Sequence, residues 1–298
     1  MTVRVGATYP QTELRGDPTA GRAFALAAED LGYDHLLAYD HVVGAVHADR
    51  EPELWGPYTE ADPFHDPFVL FAHLAALTER LSFVTGVLIL PQRQTALVAK
   101  QAADLALLAG PGPEAGGRFR LGVGVGWNHV EYDVLDQDFA TRGHRLDEQI
   151  EVLRRLWAEP VVTFDGDFHR LDRVATIPRP ANCIPIWIGG WADVALRRAA
   201  RLGDGFIFAG TEAAISDQWD RLRSLLAEHG RSVSTFGAEA MVTGHQDPVD
   251  AAAAARRWEQ RGGTHAAITS MGLGLDSVDA HIDYLARAAR ALALPGAG

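Results

Sequence analysis

The chain has 298 residues, 47% hydrophobic and 22% charged, proportions of a folded globular protein rather than of a disordered tail. Its net charge of −12, with no basic block, argues against nucleic acid as the main partner. Cys183 is the single cysteine, which excludes an intramolecular disulfide and a thiolate metal cluster.

No run approaches about 18 uninterrupted apolar residues, so no membrane span is expected. The first apolar run starts at Val3, which leaves no room for a secretory signal and gives a cytoplasmic expectation.

Apolar runs and helical patterns alternate along the chain. A strand over Val3–Ala7 precedes a helix over Pro18–Leu31, and a second strand, His35–Ala38, leads into a long polar insertion, Val42–His65. A helix over Pro67–Thr78 and a strand over Leu81–Val87 follow, then a helix over Thr95–Leu108 and a fourth strand, Phe119–Val125. The next helix covers Arg142–Trp157. The remaining strands are Pro185–Ile188, Gly205–Phe208, Ala238–Val242 and His265–Ile268, and the last helix is Val278–Leu292.

Strands that are continuously apolar are buried on both faces, which implies parallel pairing. Eight such βα units predict one domain over 1–298, a closed (β/α)8 TIM barrel with insertions after strands two and four. An open doubly wound sheet would need fewer units in a separate nucleotide-binding half. Within 159–181 the run Val161–Phe168 predicts a β-hairpin about Asp165-Gly166. Residues 110–117 read as a plain connection, and the tail 295–298 as frayed.

In a barrel the C-terminal strand ends share one mouth, so residues distant in sequence meet there. Strand two ends in Asp40-His41, and a carboxylate beside an imidazole suits acid–base work near neutral pH; a capping Asp beside a solvent-facing His is the alternative. Strand three ends in Thr85-Gly86-Val87, where extra residues before Pro91 suggest a bulge. Strand four carries Gly122, Gly124 and Gly126 before Trp127 and Asn128; Trp127 stands where a dinucleotide fingerprint needs glycine. Alternate glycines leave one face bare, with room for a flat ring. Gly189-Gly190-Trp191 lies between a strand and a helix, where unpaired N–H groups can meet an anion. No His-x-His at a strand end and no His-Glu-x-x-His is present, so no catalytic metal is expected.

Several blocks occur in order: Gly122-Val123-Gly124-Val125-Gly126-Trp127, then Arg142 to Trp157, Phe164-Asp165-Gly166-Asp167-Phe168, Pro178-Arg179-Pro180 and Pro185-Ile186-Trp187-Ile188-Gly189-Gly190. Together they resemble the bacterial luciferase-like monooxygenase superfamily over essentially the whole chain. The match is closer to its deazaflavin branch, which uses coenzyme F420.

The resemblance implies a flavin or deazaflavin in the barrel mouth. Thr85, Gly86 and Val87 would form its strand-three bulge, often with a non-prolyl cis peptide. Gly124, Gly126, Trp127 and Asn128 would form a cofactor wall, and Gly189, Gly190 and Trp191 a phosphate cradle. Asp40-His41 would lie at the hydride-transfer locus, His41 moving a proton and Asp40 orienting it. The implied activity is F420-dependent hydride transfer to or from a small organic substrate, in a homodimer. An FMN-dependent monooxygenase served by a separate flavin reductase, and a non-catalytic flavin or deazaflavin binder, are the alternatives. Trp191 and Gln94 depart from the family pattern, where position 191 is often small or polar and 94 is commonly Asn or His.

Overall fold

The structure is a computed structural model that describes residues 2–113 and 116–296; the middle of the 110–117 connection and the end of the tail lie outside the described residues. In chain order the elements are β1 (Arg4–Thr8), α1 (Gln11–Leu14), α2 (Pro18–Asp30), β2 (His35–Ala38), α3 (Pro67–Ala75), β3 (Ser82–Thr85), β4 (Leu88–Ile89) and α4 (Thr95–Ala109). Then come β5 (Phe119–Gly124), α5 (His129–Val134), α6 (Arg142–Ala158), β6 (Val162–Asp165), β7 (Arg170–Val174), β8 (Ile186–Gly189) and α7 (Asp193–Leu202). The chain closes with β9 (Gly205–Phe208), α8 (Glu212–Glu228), β10 (Gly237–Val242), α9 (Pro248–Gln260), β11 (His265–Ile268) and α10 (Val278–Leu292).

Among the described residues, β1, β2, β3, β5, β8, β9, β10 and β11 pair in parallel around a closed ring. This is the expected (β/α)8 barrel. Helix starts follow local chemistry: Asp17, Asp66 and Asp247 each accept an N–H from the first turn of α2, α3 and α9, all three of which begin at proline. No described helix is long and apolar enough to cross a membrane.

The barrel interior is layered. Leu37, Val84, Trp187, Ile207, Met241 and Ala267 form an apolar layer. A charged layer involves Glu239, which meets His35 at 2.5 Å and Arg120 at 2.6 Å; Arg120 also lies 4.0 Å over the Trp187 ring. Burial alone would raise the Glu239 carboxyl, but Arg120 and the histidines 35 and 265 pull it down to about 2.

Three local expectations change. The strand over 81–87 is two segments: Val84 pairs with Arg120 and Leu88 with Val123, so four steps of one chain match three of the other. That single extra residue is the bulge, and the Gly86-Val87 peptide within it is cis. The hairpin turns over residues 166–169 rather than at Asp165-Gly166, with Gly166 N–H donating to the His169 carbonyl. Its second strand therefore starts at Arg170. The short helices α1 and α5 were too brief for periodicity to reveal.

The hairpin is tied to the barrel wall by side chains. Glu148 on α6 accepts the N–H groups of Asp167 and Phe168 and meets His169 Nδ1 at 2.6 Å. His169 Nε2 lies 2.5 Å from Thr95 Oγ1, which also accepts from Gln149.

Candidate functional site

The bulge is fitted by missing side chains on its neighbours. A Cβ on Gly124 would lie 2.6 Å from one methyl of Val87, and a Cβ on Gly189 would lie 2.6 Å from the other. Only glycine at both positions admits the Val87 isopropyl group. The bare face of β5 is thus filled by Val87, and by Ile89 beside Gly126, rather than left open for a flat ring. Gly86 and Val87 are half-buried in an otherwise buried run from Ser82 to Thr85 and Leu88 to Gln92. Thr85 is fully buried and donates its hydroxyl to the Gly122 carbonyl at 2.7 Å, so that hydroxyl is already used within the wall.

Asp40 does not orient His41. Its Oδ2 accepts the Ile89 N–H at 2.9 Å and Arg93 Nε at 3.2 Å, and its Oδ1 lies 2.5 Å from Arg93 Nη2. Arg93 reaches on to Asp66, the cap of α3, at 3.0 Å. Burial opposes the Arg93 charge, yet the two carboxylates hold its pKa above the ordinary value. Neighbours in sequence, Asp40 and His41 thus face different partners.

The carboxylate facing His41 belongs to Glu131. His41 Nδ1 lies 3.3 Å from Glu131 Oε2, while Glu131 Oε1 accepts the N–H groups of Val42 at 2.7 Å and Val43 at 3.2 Å. Glu131 sits on α5, which Asn128 caps by accepting the Val130 N–H at 3.1 Å. Asn128 is buried in this capping role. Asn128-His129-Val130-Glu131 does match a capping pattern, a signal that reveals the helix start but not the histidine.

Above His41 lies an aromatic box. Ring centroids of Phe64, Tyr58 and Trp127 lie 4.8, 5.3 and 5.6 Å from the imidazole. Trp55 stacks on Trp127, joining the insertion to the end of β5. Burial pushes the Tyr58 hydroxyl up to about 12, with Asp62 and Glu13 adding to it, so it stays a neutral donor near pH 7.

At the expected cradle, Gly190 has φ +151° and a Cβ there would meet the Ala195 methyl at 3.0 Å. Helix α7 starts after Ala192 without a side-chain cap. Trp191 is 60% exposed, so its indole does not fill the turn. Asp193, in the first turn, is neutralised by Arg197 and Arg221. Arg142 packs on Phe139, and Arg145 donates weakly to the Arg93 carbonyl at 3.5 Å. The uncapped helix end suits an anion, and the half-buried Val87 offers an apolar contact at the mouth. The residues present fit a flavin-like group. Among the described residues no cluster of three or more His, Cys, Asp or Glu is placed to hold a metal ion.

The family model described as luciferase-like monooxygenase matches residues 1–293. An uncharacterized protein of Mycobacterium tuberculosis is 40% identical over 218 residues, 72% of each chain. The pyrimidine monooxygenase RutA of Variovorax paradoxus is 30% identical over 264 residues, 84% of this chain and 65% of that one. An F420-dependent glucose-6-phosphate dehydrogenase of Nakamurella multipartita is 33% identical over 187 residues, 61% of this chain and 50% of its own. With the closed barrel and the bulge in place, the chain belongs to the luciferase-like monooxygenase family, whose oxidoreductases include F420-dependent and flavin-dependent members.

Proposed function

We propose that the protein is an F420-dependent oxidoreductase that moves a hydride between the deazaflavin and a small organic substrate. The observation that carries this is the His41 imidazole, boxed by aromatic rings just beyond the end of β2. Kinship with an F420-dependent dehydrogenase supports the cofactor. When bound, the deazaflavin supplies or accepts the hydride.

Each residue then has a part. His41 gives or takes the proton that accompanies hydride transfer. Val87, Gly86 and Trp127 contact the ring system, and Gly190 with the start of α7 holds its phosphate. Asp40 acts at one remove, fastening Arg93 and the bulge. Residues 42–65 exclude water from the substrate. Thr85, Gly124, Gly126 and Gly189 shape the wall behind the bulge, and Asn128 holds the start of α5. Trp191 flanks the cradle from outside. Self-association as a homodimer belongs to the same proposal: Val69 on α3 and Leu97 and Leu108 on α4 are exposed apolar side chains on packed helices.

The test is a titration of intrinsic tryptophan fluorescence with F420 and, separately, with FMN. Tighter binding of F420 supports the proposal. Preference for FMN would replace it with a flavin monooxygenase fed by a separate reductase, the reading that likeness to RutA favours. Binding with no turnover on any acceptor would leave a non-catalytic binder. For His41, substitution by Ala is expected to lower turnover by about a hundredfold or more with cofactor affinity nearly unchanged.

A further inference from the structure

We propose that Glu131 is the positioning residue of this site: it keeps the proton of the neutral His41 ring on Nδ1 and so leaves Nε2 to exchange a proton at the mouth. This rests on the reading of His41 given above.

Glu131 is 1% exposed, and its two oxygens have separate tasks. Oε1 takes the Val42 and Val43 N–H groups, which pins the first residues of the insertion. Oε2 is left toward His41 Nδ1 at 3.3 Å. A carboxylate oxygen has no hydrogen to donate, so its approach to Nδ1 favours the tautomer with the hydrogen on that nitrogen. The other candidate carboxylate, Asp40, is committed to Arg93 and Ile89. Phe64, Tyr58 and Trp127 enclose the ring and resist a flip that would exchange its nitrogens. One side chain therefore sets the insertion and the tautomer together.

Substitution Glu131→Gln separates these tasks. With the amide oxygen kept by Val42 and Val43, the amide nitrogen faces His41 Nδ1 and donates to it. The ring proton is then expected to move to Nε2.

The experiment is long-range proton–nitrogen NMR of the full chain, labelled with ¹⁵N-histidine at alkaline pH. The His41 signals are identified by their loss in His41→Asn. Wild type is expected to carry the proton on Nδ1, and Glu131→Gln on Nε2. A wild-type ring protonated on Nε2 would overturn the proposal whether or not the variant folds, as would one tautomer shared by both proteins. These readouts need neither cofactor nor substrate. Turnover is read separately, and Glu131→Gln is expected to lower it by up to about a hundredfold. Inversion with turnover unchanged would overturn the role given to Nε2, and with it His41 as the proton-transfer residue.

Discussion

Arg93 and Asp40 form a closed pair at the base of the site, with Nη2 and Nε of the guanidinium on the two carboxylate oxygens at 2.5 and 3.2 Å. The Asp40 side chain is fully buried and that of Arg93 is 12% exposed. The pair fastens three segments at once, because Asp40 also holds the Ile89 N–H of the bulge and Arg93 also holds Asp66.

Removing one partner of a buried pair leaves the other desolvated. Asp40→Ala is expected to lose about 3 kcal/mol of stability in urea unfolding. His41 in Asp40→Asn should keep its wild-type tautomer, since Asp40 does not touch the ring. A changed tautomer there would return the orienting role to Asp40.

Packing of Val87 between two glycines gives a second prediction. Gly124→Ala forces a methyl toward a side chain held in a close-packed site and is expected to cost about 1–3 kcal/mol. Val87→Ala removes the obstruction, so the double variant should cost less than the sum of the singles. Additive costs in a denaturation cycle would contradict the packing described here.

The charged interior layer sets an acid limit. Glu239 has its carboxyl lowered from 4.5 to about 2, so its stabilising effect is complete above about pH 4.5 and lost as pH falls toward 2. The interval corresponds to about 3 kcal/mol. Urea stability measured against pH should fall through that window, and Glu239→Gln should be less stable at pH 7 with a flatter acid limb.

Hairpin β6–β7 hangs on Glu148. Ala at 148 removes two backbone acceptors and the His169 contact, so amide exchange over 162–174 is expected to quicken at least tenfold while β8–β11 stay protected. Uniform loss of protection would mean that the anchor supports the whole barrel.

Trp191, exposed beside the cradle, is expected to tolerate Ala with a stability change within about 0.5 kcal/mol. Its effect on cofactor affinity, read in the fluorescence titration, should be under threefold. A larger loss would make the indole part of the binding surface.

The alternation of apolar strands and helical runs determined the barrel by itself, because parallel strands buried on both faces leave a periodic record in every βα unit. His35–Ala38, Gly205–Phe208, His265–Ile268 and Val278–Leu292 have the same bounds in sequence pattern and structure. Ordered motifs likewise located the bulge at Gly86-Val87 and the turn at Gly189-Gly190. What they could not determine was partnership. Asp40 and His41 are neighbours in sequence but bond to residues 53 and 90 positions away, Arg93 and Glu131. Gly122, Gly124 and Gly126 read as open space, yet the Thr85 carbonyl and Ile207 meet Gly122, Val87 meets Gly124 and Ile89 meets Gly126. Local pattern records which face of an element is buried; which side chain arrives there depends on strand register and on the crossing of chain segments, and only the tertiary structure decides that.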